Sequence, residues 1–187
     1  MSSEGVANGV VIDMETGAVE PSSLPPKRAS LRFMFSHPAH FVALGFGSGL
    51  SPVAPGTVGT LYGWLSFLVL NLWLSEWQWG VLIAISFIAG CSITAVSSRN
   101  LNVKDPGCIV WDEIVAFWLV LLLVTPAGFW AQFTAFVLFR YFDAVKPGPV
   151  GWADARFKGG FGIMFDDLVA AFCTMLSIAL WKHLFGG

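Results

Sequence analysis

Apolar residues in this chain gather into long runs, at 58–74, 79–96, 114–124, 129–142 and 168–185, and polar residues collect between them. Such runs predict membrane helices, since crossing the hydrocarbon takes about 20 residues. Ser75-Glu76-Trp77-Gln78 reads as a turn between the first two runs, and Thr125-Pro126-Ala127-Gly128 as a turn between the third and fourth. Trp64 and Trp73 are expected as interfacial anchors of the first run. The third and fourth runs are shorter than a span needs, so they either extend into their flanks or form a shallow hairpin. The expected fold class is all-α: a polytopic membrane helical bundle of about five spans (four to five), preceded by a Gly/Pro-rich re-entrant or interfacial segment.

Composition supports lipid as the solvent. Of the 187 residues 56% are hydrophobic and 12% charged, where a soluble domain carries about 25% charged residues. So little polar surface could not cover a soluble globule. A formal charge of −2 argues against nucleic acid as a partner. Residues 1–30 differ: they lack aromatic residues and are rich in Ser, Gly, Pro and Val. They are expected to form a disordered cytoplasmic tail, with 31–187 as a single membrane-embedded domain. The tail has no basic start followed by an apolar run, so it does not read as a signal peptide.

The placement of charge says more than its amount. Between residues 33 and 98 the only Asp, Glu, Lys or Arg is Glu76, whereas seven of the twelve acidic residues follow Arg99. Lys27, Arg28 and Arg32 precede the first run, which puts the N-terminus in the cytoplasm by the basic-residue bias. Counting crossings then brings segments 97–113 and 140–167 to the same face. Both carry Lys and Arg, and their convergence marks the expected active site.

Four segments could carry chemistry there. Gly45-Phe-Gly47-Ser-Gly49-Leu-Ser51-Pro52-Val-Ala-Pro55-Gly56-Thr57-Val-Gly59-Thr60 fits neither a Rossmann nor a Walker spacing. Successive backbone N–H groups could converge on an anion there, or the stretch could simply break a helix. Asp105-Pro-Gly-Cys-Ile-Val-Trp111-Asp112-Glu113 leads into the third run, and Arg140-Tyr-Phe-Asp143-Ala-Val-Lys146-Pro-Gly-Pro149 closes the fourth. Gly159-Gly160-Phe-Gly162-Ile-Met-Phe-Asp166-Asp167 opens the last. Acidic pairs at helix starts are partly favoured by the helix dipole. Carboxylates crowded on one face still repel, and a cation would hold them. Mg²⁺ suits oxygen ligands and shares carboxylates with substrate phosphate, while Arg140, Lys146, Arg156 and Lys158 could meet phosphate oxygens.

Elimination narrows the reaction. No Cys-x5-Arg loop and no Asp-x-Asp motif occurs, and three His (His37, His40, His183) leave little for a His nucleophile. His37 and His40 read as interfacial residues, and the three cysteines as free thiols. A carboxylate-held metal that positions water is the remaining phosphoryl-transfer route.

Taken together, the four segments closely resemble the phosphatidylglycerophosphatase A family, in order and spacing, from about residue 38 to about residue 170. The resemblance implies a Mg²⁺-dependent, multi-pass enzyme of the bacterial inner (cytoplasmic) membrane, facing the cytoplasm. Its substrate would be phosphatidylglycerophosphate in the cytoplasmic leaflet, its products phosphatidylglycerol and phosphate. Carried onto this sequence, it implies an acidic set of Asp105, Asp112, Glu113, Asp143, Asp166 and Asp167. Of these, Asp112, Glu113, Asp166 and Asp167 are assigned to the metal, and Asp105 and Asp143 to catalysis with Arg140 and Lys146. Gly47, Gly49, Ser51, Thr57, Gly159 and Gly160 are assigned to substrate binding. The chain departs from the family pattern at Gly148, where Trp is usual, and at Ala116 and Ala171, where Gly is expected. Two other classes compete: a small transporter or channel with an interfacial acidic site, and a lipid-headgroup phosphotransferase. The first lacks an internal repeat here, and the second its Asp-Gly signature.

Overall fold

The structure is a computed structural model and describes residues 5–7, 10–12 and 29–185. Near the N-terminus β1 (Gly5–Ala7) pairs antiparallel with β2 (Val10–Ile12), Val6 opposite Val11. The expectation of a disordered tail otherwise falls on residues outside those described. All regular structure from Leu31 onward is helical: α1 (Leu31–Met34), α2 (Pro38–Ala43), a 3-10 segment Gly45–Leu50, α3 (Pro55–Leu70), α4 (Glu76–Leu101), α5 (Trp111–Val124), α6 (Phe129–Val145), α7 (Pro149–Arg156) and α8 (Gly159–Phe185).

Local chemistry sets the main boundaries. Pro55 opens α3 where its missing N–H costs nothing. Ser75 and Gln78 close a reciprocal capping box at the start of α4. Asn102 and Lys146, both left-handed, end α4 and α6. The five apolar runs become α3, α4, α5, α6 and α8. Two of these, α4 and α8, are long and apolar enough to cross a membrane, at about 40 Å each. By the same rise α3, α5 and α6 reach only about 21–26 Å.

The shortest of the five, α5, is the core. Trp111 to Phe117, with Trp118, Val120 and Leu121, are buried, and α3, α4, α6 and α8 pack around them. A helix apolar on every side is stable when buried on every side, which accounts for α5 at the centre of the bundle. Trp64 also lies inside. Its indole N–H donates to Gln132 Oε1 at 2.7 Å, and Gln132 donates to the Ala127 carbonyl at 2.9 Å. That satisfied pair ties α3 to α6 and corrects the expectation of Trp64 at an interface. Trp73 is exposed, as are Trp77, Trp130 and Trp181. The outer faces carry exposed Leu65, Ile85, Ile88, Phe172 and Leu176.

Segment 140–167, expected as a polar loop, is mostly helical. It contains the end of α6, all of α7, and the start of α8 nine residues earlier than expected. Phe161 and Phe165 stack across that start, and Phe157 meets both rings edge to face. A Cβ at Gly160 would strike the Cys91 carbonyl. Glycine there lets α8 lie close against α4, where Thr94 Oγ1 donates to the Gly160 carbonyl at 3.2 Å.

Candidate active site

Side-chain contacts join the start of α3, the start of α5, the end of α6, α7 and the first three turns of α8 at one end of the bundle. Asp112 and Glu113 stand in the first turn of α5 and are buried. Asp166 and Asp167 are buried too, but lie two turns inside α8. The expected placement of this pair at a helix start is therefore corrected, and the dipole does not offset their charge.

Two cations hold part of the acidic set. Arg140 Nη1 donates to Asp143 Oδ2 at 2.5 Å, pairs with Glu113 Oε1 at 3.0 Å and reaches Thr60 Oγ1 at 3.3 Å. Lys146 Nζ donates to Asp166 Oδ2 at 2.5 Å and Asp154 Oδ1 at 2.8 Å, joining α6, α7 and α8. Burial opposes the Lys146 charge, but its two carboxylate hydrogen bonds outweigh that and hold its pKa above the ordinary range. The same bond from Lys146 holds Asp154 below the usual carboxylate range. Asp105, in the 102–110 connection, makes no hydrogen bond or salt bridge. Loss of solvent around its carboxyl pushes the pKa up, with Lys146 pulling the other way.

Four carboxylates retain an oxygen that is buried and without a partner: Asp112 Oδ1, Glu113 Oε2, Asp166 Oδ1 and Asp167 Oδ2. A buried charged oxygen left unpaired is costly, and Asp112 and Asp167 are within electrostatic reach of each other and of Glu113, Asp143 and Asp166. The donors are all carboxylate oxygens, which suits a hard cation such as Mg²⁺. Among the described residues no three His, Cys, Asp or Glu side chains are gathered tightly enough to hold an ion by themselves. Mg²⁺ commonly takes one or two carboxylates and completes its shell with water and phosphate, so an incomplete protein shell still fits it. Beside Asp166 opens a cavity of about 500 Å³, lined also by Lys104, Asp105, Asp154, Lys158 and Gly159 among others.

The residues assigned to substrate binding lie in separate places. Gly47 lies nearest Met34, Gly49 is buried against the Cys108 carbonyl, and Ser51 Oγ donates to the Val53 carbonyl. None of the three touches a carboxylate. Thr57 follows Gly56 in the first turn of α3. Gly159 lines the cavity, whereas Gly160 serves the α4–α8 crossing. Lys158 donates to the Asp154 carbonyl at 2.7 Å. Of the two histidines expected at an interface, His37 caps α2 and His40 is buried, its Nε2 2.8 Å from Asn100 Nδ2.

Gly56 and Thr60 lie in the first glycine-rich segment, but the sequence alone assigns neither a contact. A Cβ at Gly56 would collide with Glu113 Oε1 and come within 2.9 Å of Arg140 Nη2. Thr60, one turn on, donates to the Gly56 carbonyl at 2.9 Å and so can accept from Arg140. Their four-residue spacing on one face of α3 was the available signal.

A family model described as Phosphatidylglycerophosphatase A matches residues 41–182. Phosphatidylglycerophosphatase A of Escherichia coli is 38% identical over 143 residues, 76% of this chain and 82% of that protein. Its Haemophilus influenzae namesake is 37% identical over 154 residues, 82% and 92% of the two chains. A Bacteroides thetaiotaomicron protein, provisionally named a phosphatidylinositol-3-phosphatase, is 36% identical over 151 residues, 78% and 94% of the two chains. No solved structure matches the chain. The family match runs through every residue of the site, from Gly56 to Asp167, and the chain belongs to the phosphatidylglycerophosphatase A family.

Proposed function

We propose that this chain hydrolyses the terminal phosphate monoester of phosphatidylglycerophosphate, releasing phosphatidylglycerol and inorganic phosphate. One observation carries the reading: four carboxylates on two adjoining helices, each with a buried unpartnered oxygen, at the polar end of an apolar bundle. The named activity of the Escherichia coli and Haemophilus influenzae relatives supports it.

Some of Asp112, Glu113, Asp166 and Asp167 would hold Mg²⁺, which when bound neutralises phosphoryl oxygen charge as a Lewis acid. Asp105, free of hydrogen bonds beside the cavity, orients the attacking water. Asp143 is engaged by Arg140 and positions that guanidinium. Arg140 Nε is a buried donor without a partner, suited to a phosphate oxygen, and Lys146 fixes Asp166. Water adds to phosphorus, the bond from phosphorus to the glycerol oxygen breaks, and that oxygen takes up a proton. In this reading α3, α4, α5, α6 and α8 are the five spans of an inner-membrane protein, with the site facing the cytoplasm.

The test is phosphate release from phosphatidylglycerophosphate by the purified protein in detergent, with Mg²⁺ or EDTA. Mg²⁺-dependent release is expected, with Glu113→Gln and Asp167→Asn each at least about 100-fold slower. A variant that keeps wild-type release at saturating Mg²⁺ loses its place in the metal set. No release from a folded wild-type preparation overturns the activity and leaves transport as the better reading.

A further inference from the structure

A second cavity, of about 340 Å³, lies between α4, α5 and α8 and meets the carboxylate set at Asp112. Its walls are apolar except at one point, Asp112. That residue is more than nine-tenths buried, and its Oδ1 has no partner. From Asp112 the lining continues along α5 through Val115, Ala116 and Leu119 to Leu122, a run of about 15 Å at the α-helical rise. Small residues open the facing wall. Gly80 has nothing within 4 Å of where a Cβ would stand, and Ala84 is exposed.

We propose that this groove seats one acyl chain of the lipid substrate, with the phosphate headgroup lying at the cation site that Asp112 and the neighbouring carboxylates would form. The inference rests on the phosphatase reading and adds a specificity element to it. An occupant that is polar at one end and about 15 Å of hydrocarbon beyond matches a phospholipid. The groove is continuous with the carboxylate site through Asp112, whereas the apolar groove between α3 and α6, around Trp64 and Phe129, touches no carboxylate. A chain moving from bilayer to groove gains little from the hydrophobic effect, because both surroundings are apolar. What the groove supplies is position: it sets the depth at which the phosphate meets the carboxylates, and misplacement by about 1 Å can cost about 100-fold in rate.

Filling the groove tests this. Gly80→Phe and Ala84→Phe project a ring into it, and Ile85→Phe, on the outward face of the same helix, is the control. We expect each groove variant to lower kcat/KM for dioleoyl phosphatidylglycerophosphate about tenfold relative to the dihexanoyl form, with the ratio unchanged in Ile85→Phe. In parallel, phosphatidylglycerophosphate with a mid-chain diazirine is photolysed with the protein in detergent micelles. Label should concentrate on residues 80–88 and 115–122 of the wild type and fall at least fivefold in Gly80→Phe. Label spread evenly around the bundle, or an unchanged chain-length ratio in both groove variants, overturns the proposal. A wild type that hydrolyses neither substrate overturns the phosphatase reading instead, and the labelling pattern then decides the groove alone.

Discussion

Gly56 and Glu113 form the tightest junction in the site. An added methyl at Gly56 has to displace the Glu113 carboxylate or the Arg140 guanidinium. Gly56→Ala is expected to slow phosphate release about 100-fold through misplacement of these groups, with destabilisation of about 1–3 kcal/mol from overpacking. Thermal unfolding and initial rates measure the two effects separately. Asp105 is the opposite case, a carboxylate with no hydrogen bond or salt bridge to lose. Asp105→Asn should leave thermal stability near that of wild type while lowering kcat about 100-fold or more; an unchanged kcat removes it from the water-orienting role. The sequence displayed both residues, but only Asp105 looked chemical. The role of Gly56 depends on which helix faces it, and no local signal encodes that.

At the scale of elements, Lys146 pins α7 between α6 and α8. Its pairing with Asp154 gives a pH dependence whose sign follows from the two shifts. The lowered Asp154 pKa contributes stability above its unfolded value of about 3.9, and this is lost as pH falls through the folded value. The raised Lys146 pKa contributes stability below about 10.4, lost as pH rises through its folded value. Amide-exchange protection of α7 should therefore fall in acid as Asp154 is protonated, and Lys146→Met should remove that contribution while lowering protection throughout. His40 behaves differently. Burial depresses its pKa, so the unfolded chain binds the proton better. Docking of α2 on α4 should then weaken as pH drops below about 6.5, read as loss of protection over 38–43 and absent in His40→Asn. These elements were unevenly legible. Four of the five long helices start within three residues of where their apolar runs begin. By contrast, α7 and the first turns of α8 were read as loop, because glycines and charges there match loop composition while the tertiary packing makes them helical.

For the molecule as a whole, segregation is the governing fact: exposed apolar residues on the sides, exposed Trp73, Trp77 and Trp130 near the turns at 71–75 and 125–128, and carboxylates at the other end. Exposed apolar area of this kind marks a surface that meets lipid or protein. In a cysteine-free background, single cysteines at Lys104 and Glu76 should label from opposite sides of a sealed vesicle. Labelling of both from the same side would overturn the crossing of α4.

By itself the sequence determined the apolar helical runs, the ends at which polar groups could gather, and the family, because apolar run length and linked motifs are local properties of the chain. Tertiary structure alone decided which of those polar residues meet. Lys146 joins Asp166 across 20 residues and Arg140 reaches Thr60 across 80. The least span-like of the apolar runs, α5, became the centre. Helix packing sets those meetings through the shapes of facing surfaces, such as the glycine notch at Gly56, and such complementarity exists only once both surfaces are in place.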